Sequence, residues 1–143
     1  MRANRRLALP LILITAAISP ASAEIDKSKP MLCALGEAYE CVRGKSCDRV
    51  QPGDLGAPRF FSIDLTQKMV QGMGPGARER KSLIGTIGEA GPLLVMQGMD
   101  AQRENRGALG WSASVSEADG GLVLTASSED GAFVVFGDCI VKE

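Results

Sequence analysis

Between residues 110 and 139 apolar and polar side chains trade places almost one for one. Trp111, Ala113 and Val115 alternate with Ser112, Ser114 and Ser116, and Leu122, Leu124 and Ala126 alternate with Val123, Thr125 and Ser127. Turn clusters at 117–121 and 128–131 separate these runs from each other and from a third, apolar one at 132–136. A period of two, broken by short turns rich in Gly and Asp, predicts neighbouring antiparallel strands. Upstream, Phe61, Ile63 and Leu65 share one face of a strand, a turn follows at 64–67, and residues 68–72 return. Residues 81–88 and 93–99 form two more strands around Glu89-Ala90-Gly91-Pro92. Residues 51–58, 73–78 and 100–107 are loops by their Pro, Gly and polar content, and 24–30 is a charged, loose lead-in.

Residues 31–42 fit two templates. Leu32, Leu35, Tyr39 and Val42 have helical spacing, whereas the cysteines and the short length suit a strand beside a cysteine-closed hairpin, and the extended reading is preferred. The fold class is therefore all-β: an antiparallel up-and-down meander of about seven or eight strands closing into a barrel. In an even-stranded meander the first strand begins beside the point where the last one ends. Closure also removes exposed sheet edges. The run 132–136 is apolar on both faces, Phe133 and Val135 on one and Val134 and Phe136 on the other. One face fills the barrel; the other needs a cover, either the segment 31–35 or a second copy of the chain in a homodimer. Trp111, Phe133, Phe61, Leu122 and Leu83 are the expected inward side chains, large enough to predict a solid core rather than a hollow one.

The first 23 residues read as an export signal. Arg2, Arg5 and Arg6 precede an apolar run at 7–18 and the small-residue site Ala21-Ser22-Ala23. The run is shorter than the ~20 residues of a membrane span and contains Pro10, so a cleaved signal is expected rather than an integral anchor. Cleavage near Ala23 leaves a single domain, 24–143, in the periplasm or medium. It also removes three arginines, leaving 13 basic against 17 acidic residues, a net charge of −4 instead of −1. That balance argues against nucleic acid as a partner.

Four cysteines, Cys33, Cys41, Cys47 and Cys139, read as two disulfides in an exported domain, with three pairings open. Cys41 and Cys47 flank the short polar stretch Val42-Arg43-Gly44-Lys45-Ser46, which suits a local bridge and leaves Cys33 for Cys139. The chain has no histidine and no C-x-x-C, so neither a zinc site nor a Ser-His nucleophile is expected. Gly44-Lys45-Ser46 lacks the glycine five residues earlier that a phosphate-binding loop needs, Tyr39 standing there. Glu37, Glu40, Asp64 and Asp138 are the acids in or beside strands, with solvated surface charge as their default. No catalytic, cofactor or metal residues are assigned. The distinctive surface feature is a basic cluster, Arg78, Arg80 and Lys81 in one loop region and Arg103 and Arg106 in another; loops at one end of a barrel would pool these charges.

Cys41 and Cys47, Pro58-Arg59-Phe60, Gly110-Trp111-Ser112, Thr125-Ala126-Ser127 and Phe136-Gly137-Asp138-Cys139 together resemble the pattern of short exported proteobacterial proteins with no assigned role. The resemblance implies a small disulfide-bonded β protein and carries over no functional residues. A looser similarity is to the periplasmic lysozyme inhibitors, small eight-stranded barrels whose inhibitory Ser-Gly loop has no counterpart here. The expected function is a non-enzymatic, cofactor-free binding or interaction module. The alternatives are a lipocalin-like carrier of a small apolar ligand and an inhibitor of an envelope enzyme such as a lysozyme. The partner is then an envelope protein or a small apolar molecule.

Overall fold

The computed structural model describes residues 25–75, 80–100 and 107–142, and all regular structure among them is strand. The strands are β1 (Met31–Val42), β2 (Cys47–Val50), β3 (Phe60–Asp64), β4 (Met69–Met73), β5 (Lys81–Ala90), β6 (Leu93–Asp100), β7 (Leu109–Ser116), β8 (Gly121–Ser127) and β9 (Gly131–Val141). From β3 to β9 each strand pairs antiparallel with the next; β3 and β9 both pair with β1, so eight strands close into a barrel. The ninth, β2, hairpins onto the second half of β1, from Ala38↔Val50 to Cys41↔Cys47, while β3 occupies the first half of that edge.

Residues 31–42 are extended throughout, but not regular. The pairing of β1 with β9 slips between Leu35 and Glu37, where Gly36 is the additional residue. An inserted residue shifts the alternation, so Met31, Cys33 and Leu35 point inward before it and Ala38 after it. Gly137 faces the slip, and a Cβ there would lie 2.2 Å from the Ala34 carbonyl oxygen. Cys33 and Cys139 are direct cross-strand partners on this seam, bonded inside the barrel with Cα atoms 4.0 Å apart. The second disulfide, Cys41–Cys47, closes the β1–β2 hairpin, and no free cysteine remains.

Residues 31–35 do pack on β9, as expected, but beside it rather than over its outer face. That segment lies edge to edge with β9 as the closing strand, its apolar side chains turned into the barrel, because the backbone of β9 needs a hydrogen-bonding neighbour. Phe136 remains 41% exposed, its ring meeting that of Tyr39 edge-on at 6.2 Å between centroids.

One end of the barrel is full. Met31, Leu94, Val115 and Leu122 exclude solvent there, each burial contributing about 1.5–3 kcal/mol. Ile25 joins them from outside the barrel proper, so the lead-in is not loose. Lys27 is ion-paired to Glu89 and, at 2.7 Å, to Glu117 Oε1, and the Lys142 amide donates to the Pro30 carbonyl at 2.9 Å. The Glu117 oxygen is buried without an aligned hydrogen bond, so the ammonium of Lys27 is its compensation. The contacts to Glu117 and then Glu89 push the Lys27 ammonium up to about 12.

Leu83 is also placed differently from expectation. Val70 pairs with Ser82 and Met69 with Leu83, which turns Ser82 and Ile84 inward and leaves Leu83 67% exposed against 3% for Ile84. The sequence offers two adjacent apolar residues, and the pairing of β5 with β4 decides between them.

Candidate functional site

The other end of the barrel is hollow. Residues of all eight barrel strands, β1 and β3 to β9, surround a cavity of about 200 Å³, with Leu35, Phe61, Met96, Trp111, Leu124 and Phe133 among its walls. The expectation of a solid core is corrected here. Large inward residues are present, but those at the closed end fill it while those at the other end lie along the wall.

Trp111 shows how. Its ring lies over Gly98, the residue paired with it on β6; a Cβ on Gly98 would come within 2.3 Å of Cζ2 of the ring. Flattened in this way, the indole reaches across β6 to β5, where Nε1 donates to Ser82 Oγ at 2.8 Å. Ala113, Ala126 and Gly72 are the small residues among the remaining walls, and they leave the space that the ring does not occupy. No buried polar or charged residue occurs among the described residues, so the wall is apolar apart from the hydroxyl already engaged by Trp111.

The mouth is built from different chemistry. Residues 51–58 fold back on themselves through Asp54 N–H to the Gln51 carbonyl at 2.9 Å and Ala57 N–H to the Pro52 carbonyl at 3.0 Å. This fold presents Leu55, Gly56, Ala57 and Pro58 to the cavity. Arg80 and Lys81, at the start of β5, and Asp100, at the end of β6, complete the described part of the rim. The strand order places the β4–β5 and β6–β7 connections at the same end of the barrel, the end where the cavity opens. Of the basic residues singled out from sequence, Arg80 and Lys81 are thus at the mouth; Arg78, Arg103 and Arg106 lie outside the described residues.

The acids in or beside strands are occupied elsewhere or turned outward. Glu37 is ion-paired with Arg49 at 2.6 Å, and Asp138 is exposed on β9. The Asp64 carboxylate accepts from the Gln67 amide at 2.9 Å and the Thr66 hydroxyl at 2.7 Å, and those bonds hold its carboxyl below the usual range. Among the described residues no group of three or more His, Cys, Asp or Glu is placed to hold a metal ion. All four cysteines are in disulfides, which belong to an oxidising compartment, and no helix among the described residues is long and apolar enough to cross a membrane.

Ser82 and Gly98 were not singled out by sequence, and Leu35, Met96 and Leu124 stood out there as apolar positions of strands rather than as walls of a cavity. Ser82 had no usable signal, because the phase of β5 is set by its pairing with β4. No protein-family model, curated protein or solved structure matches this chain.

Proposed function

We propose that the protein is an exported, non-enzymatic binding barrel of the lipocalin-like kind, holding a small apolar ligand in its interior. One observation carries this reading: an apolar cavity of about 200 Å³ opens at one end of a barrel whose other end is sealed by packed side chains. Barrels of eight strands lie at the boundary between side-chain-filled interiors and those with room for one small ligand. The volume is near the ~150 Å³ apolar cavity that admits benzene, so by proportion roughly eight non-hydrogen atoms would fill it. It is smaller than the ~300–1,000 Å³ pockets of drug-sized ligands, which points to a single ring or a short chain. Export to the periplasm with cleavage near Ala23 follows from the basic, apolar and small-residue blocks of residues 1–23, and the disulfides agree with it.

The test uses the only tryptophan of the chain, which stands in the cavity wall. Titration with 1-octanol is expected to shift Trp111 emission saturably and to raise Tm. Ala126→Leu, which projects bulk into the cavity from β8, is expected to weaken both responses. A folded wild-type protein whose emission and Tm ignore the alcohol over its soluble range refutes the reading.

A further inference from the structure

We propose that the ligand is a small amphiphile with one anionic head, its tail lying against Trp111 inside the barrel and its head held at the mouth by Arg80 and Lys81. This rests on the carrier reading above and adds the polarity and orientation of the ligand. The interior offers the ligand few polar partners: no buried polar residue lines it among the described residues, and the Ser82 hydroxyl, one residue in from the rim at Lys81, already accepts from Trp111 Nε1 and keeps only its own O–H to donate. A ligand polar at both ends, or polar in its middle, would strand groups that water had satisfied. Any polar group must therefore remain at the opening.

The opening is where the charge is. Arg80 and Lys81 are both exposed and both line the cavity, and neither has an ion-pair partner among the described residues. One carboxylate, Asp100, shares the rim with them, so the described mouth carries two cations against one anion on a mature chain with net charge −4. The placement follows from the strand. Lys81 opens β5 opposite Gln71, and the Arg80 carbonyl accepts from the Gly72 amide at 2.9 Å, so paired backbone fixes the roots of both side chains while their heads stay in water. Inside that rim Ser82 is the next residue of β5 in the lining, and Val70, Met96 and Trp111 continue the wall, so the lining changes from charged to apolar over a few residues. An anion on a chain of seven or eight carbons matches this gradient, with the tail filling the roughly eight-atom volume and the head outside it.

The experiment compares ligands that share one tail. Octanoate, octylphosphonate and uncharged 1-octanol are titrated into the mature, oxidised protein at low salt and followed by Trp111 emission and calorimetry. An exposed ion pair strengthens binding by a factor of roughly 1.5–5, so two cations are expected to favour the anions over octanol by about tenfold. Raising the salt to 0.5 M should erode most of that preference. Arg80→Gln combined with Lys81→Gln should bring the preference close to one, whereas Lys29→Gln, before β1 at the closed end, should leave it unchanged. If the phosphonate alone gains, the head is a phosphate-like group; if both anions gain, a carboxylate suffices, and either result supports the proposal. Octanol binding as tightly as both anions overturns it while leaving the carrier reading intact. No binding of any of the three overturns both.

Discussion

Replacing Cys33 and Cys139 together by alanine tests the closure of the barrel most directly. The bridge spans 106 residues, and the chain-entropy description of cross-linking gives a loop of that size about 4.8 kcal/mol of stabilisation at 25 °C. The hairpin bridge Cys41–Cys47 spans 6, for which the same relation gives about 2.2 kcal/mol. The two differ further in place. Cys33 and Cys139 are inside the barrel, so removing their sulfurs also leaves a small void worth about 1 kcal/mol, whereas Cys47 is exposed. The expected losses are thus about 5–6 kcal/mol for the long bridge and about 2 kcal/mol for the short one. Against a typical margin of about 5–15 kcal/mol, the first variant should be close to unfolding and the second should not. Urea unfolding of each oxidised protein, followed by Trp111 emission and far-ultraviolet circular dichroism, reads the difference. Equal losses, or a greater loss for Cys41/Cys47, would refute the claim that the seam between the first and last strands is where the chain needs fastening.

Gly98→Ala places a methyl 2.3 Å from the Trp111 ring and 2.4 Å from the Leu83 carbonyl oxygen, and should cost about 1–3 kcal/mol while altering Trp111 emission. Gly88→Ala, with nothing within 4 Å of its Cβ, should be neutral or slightly stabilising; equal stability of the two variants in urea would show that the ring does not lie on Gly98. The Lys27 pairs predict a pH dependence with two limits, read as the difference in Tm between wild type and Lys27→Met. Because the ammonium is raised to about 12, its contribution is fully present below the ordinary 10.5 and is lost as pH rises through about 12. Because Lys27 holds the Glu89 carboxyl below its ordinary 4.5, that share is present above 4.5 and is lost as pH falls through the lowered value. A Tm difference that is flat across both limits would show that the pairs do not form.

Much of this architecture is local and therefore visible in the chain. The alternation over residues 110–127 specifies strands because one face meets the core and the other meets water, and β7 and β8 appear where it predicts them. The cysteine spacing is similarly informative, since a bridge between residues six apart demands a hairpin. β2 was not visible: Cys47-Asp48-Arg49-Val50 has a single aliphatic residue and lies largely in solvent, and what makes it a strand is its pairing with β1. The phase of β5 was hidden for a related reason. Leu83 and Ile84 are equally apolar, and only the pairing with β4, together with the bulge between Ile84 and Thr86, turns one inward. The lead-in was misread because its charge looks like solubility, yet the partners of Lys27 stand 62 and 90 positions further along the chain. Sequence likewise brought Arg80 and Lys81 forward as a basic cluster, but not the cavity beneath them, which depends on how the strands wrap.

The hollow and the plug have a common origin in the distribution of side-chain size along the barrel axis. An eight-stranded interior is only just wide enough for side chains to fill, so each layer is closed or open according to the few residues pointing into it. At the sealed end those residues are Met31, Leu94, Val115 and Leu122, with Ile25 completing the layer from the lead-in. At the open end Ala113, Ala126 and Gly72 leave space, and the largest of the wall residues, Trp111, is kept against the wall by the missing side chain of Gly98 and by its bond to Ser82. Holding an indole aside in this way forgoes the contacts it could make in the middle of the barrel, where a void has no partner atoms to offer. A tail entering the cavity would restore those contacts without breaking the Trp111–Ser82 hydrogen bond, which runs along the wall. On the carrier reading proposed above, this arrangement would favour an occupied interior over an empty one, and the charges at the mouth would set which end of the occupant faces water.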